Sequence, residues 1–336
     1  MSEKIFEGTM KVLIFGATGG IGKWVVDYLL NTVHFPKEDL YLASRHNIPY
    51  FAKNNLQHFC VDISDTKSFD VLPQHVDAVI DLAGAMPARM EGYHPRTYID
   101  VNIIGTLNVL EYCKYAGADR ILFTQSFGDI KQNSEEAVIL KSDSPRVFDM
   151  NDDHTVYVLS KNFAVDLIEH YHQMYGIKNF IFRLPTVHSY SPDVYYYHNG
   201  IKKPIGYRYL IQKALAGETL EVWGDPSRKK DMVYVKDLAQ MLFLALSANV
   251  ESGVYNVGTG VGTTLQEQIE GMLEVFSPNG LINNIVFCPE KPNAPAYIMD
   301  ISDAERDLGY KPKFLYRDML EDIKQEMQIK RFNYDN

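Results

Sequence analysis

Clustered positive charge is the first thing this sequence lacks. Its 33 Lys and Arg are scattered among 43 Asp and Glu, for a net charge of -10, whereas a surface that neutralises phosphates gathers basic residues on one face. The single local run, Arg228-Lys229-Lys230, is too short to make such a face, so no nucleic-acid partner is expected. Cysteine is scarce as well. Cys60, Cys113 and Cys288 are far apart, odd in number and never in a Cys-x-x-Cys pairing, which indicates neither a disulfide framework nor a zinc site and suits free thiols in a reducing cytosol. Long apolar runs are also missing. No stretch is long enough to span a bilayer, and Met1 to Thr9 has no apolar segment behind a basic region, so the expectation is a soluble, cytoplasmic protein with no membrane partner. What remains is 336 residues of ordinary hydrophobic (46%) and charged (23%) content, enough for one large core or two smaller ones.

The stretch that organises this chain runs from Lys11 through Phe15 to Gly16-Ala17-Thr18-Gly19-Gly20-Ile21-Gly22 and into an amphipathic segment ending near Leu30. A short apolar strand enters a glycine turn and leaves as a helix. Gly16 allows a tight reversal, Gly19 lets backbone amides approach a pyrophosphate, and Gly22 lets the helix pack closely on the strand. The helix N-terminus adds unpaired N–H groups and the positive end of a dipole. Gly16, Thr18, Gly19, Gly20, Ile21 and Gly22 are therefore candidate contacts to a dinucleotide.

Further strands follow at Asp39–Arg45, His58–Asp62, Ala78–Ala85 and Arg120–Ser126, separated by helical segments and short loops, which predicts an α/β fold with a doubly wound parallel sheet covered on both faces. At the end of the second strand an acidic residue would bind a ribose 2′-hydroxyl; Ser44 and Arg45 stand there instead and suit a 2′-phosphate, so NADP is favoured and NAD is the alternative. Asp62 and Ile63 are placed to face the adenine, and Ala83, Gly84 and Ala85 are small enough for close approach of cofactor. In the helix expected over Arg96–Ala116, Asn102 faces inward as either a satisfied core amide or a group that holds water or backbone in place. The long segment Phe127–Val156 reads as a loop able to cover a site. Its Asp149, Asp152 and Asp153 read as solvated rather than as metal ligands.

Tyr157 and Lys161 open the next helix one turn apart on the same face. A nearby ammonium and an oxidised nicotinamide both favour phenolate, lowering a Tyr pKa towards the operating pH, so that Tyr157 can move a proton on a sugar hydroxyl.

Together with the glycine turn these residues resemble an extended short-chain dehydrogenase/reductase of the NAD-dependent epimerase/dehydratase family, typified by enzymes acting on nucleotide sugars. The resemblance includes Asn102-Ile-Ile-Gly-Thr106, Phe182-Arg-Leu-Pro185, Asp231-Met-Val-Tyr-Val-Lys-Asp237, Gly253 to Gly260 and Asp300 to Pro312. It implies a Rossmann-type domain over 9–185, with the chain returning at about 233–258, and a smaller C-terminal α/β substrate domain over 186–232 and 259–330. In that division of labour Lys161 binds the nicotinamide ribose, Tyr157 is the acid and base, Ser126 hydrogen-bonds the reacting oxygen, and Asn102 and Pro185 lie beside the cofactor. Ser302 with Glu305 forms a capping-box pattern, which predicts a helix closed by Gly309.

Departures from the family choose among its reactions. Dehydratases carry an Asp-Glu pair after the strand-end hydroxyl; Phe127 and Gly128 stand here, which excludes 4,6-dehydration. Thr186 replaces a common Asn, and Lys230 replaces the Arg that grips the substrate diphosphate, keeping the charge without the fork. Tyr195, Tyr196, Tyr197 and Trp223 either stack on a base or pack the small domain. The leading expectation is a nucleotide-sugar 4-epimerase. An NADPH-dependent keto-sugar reductase is the alternative, and a non-catalytic dinucleotide sensor is a third reading. The helices at about Arg96–Ala116 and Tyr157–Tyr175 resemble the family's four-helix dimer interface, so a homodimer is expected.

Overall fold

The computed structural model describes residues 9–130, 138–198, 200–278 and 284–332. Parts of the expected loop 127–156, of the two expected substrate-domain spans and of the N-terminal segment Met1–Thr9 lie outside these residues. The central sheet contains β1 (Val12–Phe15), β2 (Leu40–Ser44), β3 (Gln57–Cys60), β4 (Ala78–Asp81), β5 (Arg120–Ser126), β6 (Lys178–Leu184) and β7 (Ser252–Asn256). The helices of eight residues or more, with the shorter Ser302–Leu308, are α1 (Gly22–Asn31), α2 (Thr106–Ala116), α3 (Thr155–Tyr175), α4 (Gly206–Leu215), α5 (Val235–Leu246), α6 (Leu265–Phe276), α7 (Ser302–Leu308) and α8 (Tyr316–Ile329).

All seven strands are parallel, in the order β7-β6-β5-β4-β1-β2-β3. Alternation along β1 explains why both faces must be covered. Val12 and Ile14 join a core with Val25 and Leu29 of α1 and Leu238 and Leu242 of α5, while Leu13 and Phe15 join the opposite core with Val109 and Leu110 of α2 and Ile168 of α3. The strand order reverses between β1 and β4, the place where open α/β sheets leave a crevice at their carboxyl ends. Phe15, Asp81 and Phe123 stand side by side across β1, β4 and β5, so the segments that follow these strands all emerge along that edge.

A smaller region packs α4, α6 and α8 around the parallel pair Leu220–Trp223 and Ile285–Cys288. Trp24 of α1 enters the same core, so the two regions share packing. A mixed sheet in the order Gly262–Thr264, Lys229–Asp231, Tyr297–Met299, Val138–Leu140 joins them. Its last strand lies inside the segment expected to be loop throughout. Among the described residues no helix is long and apolar enough to cross a membrane.

Two local expectations are corrected. The helix expected over Arg96–Ala116 is a short turn, Pro95–Tyr98, then a π-helical stretch, Ile99–Gly105, and only then α2. The wider turn carries Asn102 and Gly105 inward and leaves Ile99 and Ile104 exposed, a register that a period of 3.6 cannot predict. The second concerns α7. Its N-cap is Ile301, with no side-chain cap, and Ser302 is already helical with its N–H donated to Asp300 (3.0 Å). Gly309 does close the helix, at φ 66°. A capping box is found elsewhere, at Thr264 and Glu267 before α6.

Candidate active site

The glycine turn sits where β1 and β4 diverge. Gly16 has φ 74°, and a Cβ there would come within 2.7 Å of the Ala83 nitrogen; one on Gly22 would come within 2.3 Å of the Gly16 carbonyl oxygen. Both contacts are with backbone, so only glycine permits this approach. Above the turn a cavity of about 380 Å³ is bordered by Thr18, Gly19 and Gly20. A cradle open to solvent over a helix N-terminus fits a dinucleotide pyrophosphate.

After β4 the chain passes Ala83, Gly84 and Ala85. Asn102 fixes this stretch: its Oδ1 accepts the Ala85 N–H (2.8 Å) while its Nδ2 donates to the Ala85 carbonyl (3.0 Å). The same Nδ2 donates to the Ser160 hydroxyl (3.0 Å), which donates to the Tyr157 carbonyl (2.7 Å). Asn102 is thus a satisfied buried amide whose partners include the Ala85 backbone. One buried amide ties the small-residue strand end to the first turn of α3.

Ser126, Tyr157 and Lys161 converge at the end of β5. The Ser126 hydroxyl is the polar group that acts on the Tyr157 phenol, and Ser126 Oγ accepts the Gly128 N–H (3.1 Å). Burial pushes the Tyr157 phenol above its ordinary value, and the Ser126 hydroxyl is the group that pulls it back. Lys161 follows one helical turn along α3. Its ammonium lies 3.8 Å from the centroid of the Phe123 ring, burial lowers its pKa, and the buried Asp81 carboxylate partly restores it. Asp81 is pushed up by the same burial. One of its oxygens accepts the Ala83 N–H (3.0 Å), and the other has no hydrogen-bond partner.

The residues proposed for the cofactor's adenosine end divide. Ser44 is buried, and its hydroxyl donates to the His46 carbonyl (2.9 Å) and lies 2.8 Å from His58 Nε2, so it is already engaged. Arg45 is exposed beside Asp62, whose charge it stabilises after Ser64. Asp62 accepts from the Ser64 N–H (2.9 Å) and hydroxyl (2.7 Å). Ile63 turns into the core beneath Gly105. Pro185 is buried just beyond β6 and Thr186 is exposed.

On the substrate side Lys230 lies over the Tyr297 ring (5.7 Å), and Tyr297 packs on Phe127 (5.0 Å), the residue after Ser126. Phe127 and Gly128 thus occupy the acid pair's place with a packed ring and with a glycine whose missing Cβ would meet Ser126 Oγ at 3.2 Å. The acid that follows, Asp129, is bound by Arg183 through both oxygens (3.1 Å each). A hairpin, Tyr195–His198 with Ile201–Pro204, reaches the site through rings. Tyr196 meets His198 (6.4 Å), His198 meets His154 (6.1 Å), and His154 meets Tyr157 (6.5 Å). Trp223 is exposed on a different strand pair, with its indole N–H donated to Glu221 (2.6 Å). Asp153, expected to be merely solvated, pairs with His154 (2.6 Å) and lies with it and His198 in a group whose polar atoms are within 4.8 Å of one another.

Sequence reasoning missed Asp81, Asp129 and His198. Asp81 alone left a signal, as a charge at the end of an apolar strand.

These positions sit in a chain that matches known proteins along most of its length. UDP-glucuronic acid decarboxylase 6 of Arabidopsis thaliana is 26% identical, over 98% of this chain and 92% of its own. Among solved structures, UDP-glucose 4-epimerase of Thermotoga maritima with UDP-glucose superposes with a TM-score of 0.75 at 22% identity, covering 95% of this chain and 100% of its own. The Thermus thermophilus UDP-glucose 4-epimerase complex with NAD superposes with a TM-score of 0.72 at 21% identity, over 97% and 100% of the two chains. The family model described as NAD dependent epimerase/dehydratase matches residues 12–258, which span the glycine turn, the Ser126-Tyr157-Lys161 set and β7, and the chain belongs to that family.

Proposed function

We propose that this protein is an NAD(P)-dependent epimerase that acts on a nucleotide sugar through a transient 4-keto sugar. The observation that carries this reading is the convergence of Ser126, Tyr157 and Lys161 at the carboxyl edge of the sheet, beside the glycine turn, with Phe127 and Gly128 where an elimination would need an acid and a base. The nicotinamide, when bound, supplies the hydride acceptor and donor. Tyr157 takes the proton from the sugar 4-hydroxyl and returns it, Ser126 holds that oxygen, and Lys161 supplies positive charge beneath both. Lys230 meets the substrate diphosphate as a point charge. The UDP-sugar named for the Thermotoga maritima enzyme supports this substrate class.

The end of β2 carries no carboxylate, and exposed Arg45 supports NADP there, without help from Ser44. Arg45 also favours the second reading, an NADPH-dependent reductase of a keto-sugar. The dinucleotide released on denaturing fresh protein, and turnover of mixed nucleotide sugars without added cofactor, separate the two. Retained NADP with turnover and no net oxidation is expected. An empty site with NADPH consumed only when a keto-sugar is supplied would replace the epimerase by the reductase.

The protein acts as a homodimer in this reading. Leu159, Phe163 and Met174 of α3 and Tyr115 of α2 remain exposed, Phe163 by 50% and Tyr115 by 71%, a patch suited to a second copy. The mass in solution should be that of two chains at micromolar concentration, and Phe163→Glu should give one. A wild-type mass of one chain over that range would remove the dimer.

A further inference from the structure

The cavity over the glycine turn gathers more positive charge than the backbone of that turn supplies. Lys23 comes from the first turn of α1, Arg89 from the short turn Pro87–Arg89 after β4, and Arg208 from α4 in the smaller region, and all three border the cavity with Thr18, Gly19 and Gly20. Asp193 is the single acid among the bordering residues, and it pairs with Arg89 Nη1 (2.7 Å). The other end of that guanidinium overhangs the turn: Arg89 Nη2 is 4.0 Å from where a Cβ on Gly20 would stand. Arg208 is positioned by neutral acceptors, the Tyr207 hydroxyl (2.8 Å) and the carbonyls of Asp193 (2.6 Å) and Ser189 (3.3 Å). Burial and the charges of Arg208 and Arg89 bring the Lys23 ammonium down to about 8. Two guanidinium groups and an ammonium thus border the cavity beside one carboxylate, a lining that suits an anionic group.

We propose that Lys23, Arg89 and Arg208 clamp the pyrophosphate of the dinucleotide from the side opposite the glycine turn, so that the smaller region holds the cofactor in place. The inference rests on the dinucleotide reading above and extends it. The glycine turn and α1 offer backbone N–H groups from one region, while Arg208 closes from the other, and release of the cofactor requires α4 to draw away. A dinucleotide held in this way stays through many turnovers, which suits a reaction that regenerates it.

The test is calorimetric titration of the full chain, stripped of any retained dinucleotide, with ADP-ribose, and competition by adenosine, which lacks phosphate. Arg89→Ala and Arg208→Ala are each expected to weaken ADP-ribose by at least about 10-fold, the scale of one charge-assisted hydrogen bond, and adenosine by less than about 2-fold. NADPH should also leave Arg208→Ala faster than wild type. Arg89, an exposed side chain paired with exposed Asp193, keeps the test open if Arg208→Ala folds poorly. ADP-ribose affinities equal to wild type, or adenosine weakened as much as ADP-ribose, overturn the clamp and leave the dinucleotide reading standing. A wild-type chain that binds neither ADP-ribose nor 2′-phospho-ADP-ribose overturns both.

Discussion

Replacing Tyr157 by Phe is expected to lower turnover of the nucleotide sugar by about 10³-fold, equivalent to about 4 kcal/mol of transition-state stabilisation, while dinucleotide affinity stays within a few-fold. The ring itself is structural, since it packs edge-on against buried Tyr98 at 6.0 Å, and Phe keeps that contact. Only the hydroxyl, on which Ser126 acts, is lost. Ser126→Ala should cost less in rate and shift the pH profile in a fixed direction. Burial raises the Tyr157 pKa and the Ser126 hydroxyl lowers it, so removing Ser126 raises it further. Where the phenolate acts as base, activity grows as pH rises through that pKa, and its midpoint therefore moves to higher pH in Ser126→Ala. Initial rates across pH measure both effects. A Tyr157→Phe rate within about ten-fold of wild type would remove Tyr157 from the chemistry.

What could be read from the sequence was whatever local spacing specifies. The glycine turn is contiguous, Tyr157 and Lys161 are one helical turn apart, and β5 runs over Arg120–Ser126 as expected, because an uninterrupted apolar strand and a helical period are both short-range signals. Properties that depend on a distant partner were not legible. Ser44 looked like a phosphate ligand until β3 brought His58 to its hydroxyl. The helical period gave the spacing of Lys161 from Tyr157, but not the Phe123 ring under its ammonium or the buried Asp81 nearby. Arg89 and Arg208 come from opposite regions and carry no motif. The Ser302-Glu305 pattern failed for a different reason: Asp300 already takes the Ser302 N–H, and the helix begins one residue earlier than the pattern requires.

Cutting Asp129 back to Ala should destabilise the fold by about 3–5 kcal/mol, a large part of the 5–15 kcal/mol that typically holds a domain together. Arg183 and Asp129 keep only 8% and 1% of their side-chain surface exposed. Arg183 donates through Nε and Nη2 to the two carboxylate oxygens and through Nη1 to the Ser142 carbonyl (2.8 Å). Without the carboxylate, a buried guanidinium keeps one neutral acceptor and loses its counter-charge, and that uncompensated charge is the source of the cost. Arg183→Met should be harmful for the mirror-image reason. The double variant Asp129→Leu with Arg183→Met should recover most of the loss, because two apolar side chains leave no charge to desolvate. The pair also bears on catalysis, since Asp129 lies in the turn that begins at Ser126 and is capped by its hydroxyl. Denaturant unfolding measures each stability. Single variants within about 1 kcal/mol of wild type would show that the ion pair contributes little, and the turn after β5 would then owe its shape to the Ser126 cap and to the packing of Ile130 with Leu140, Tyr297 and Met299.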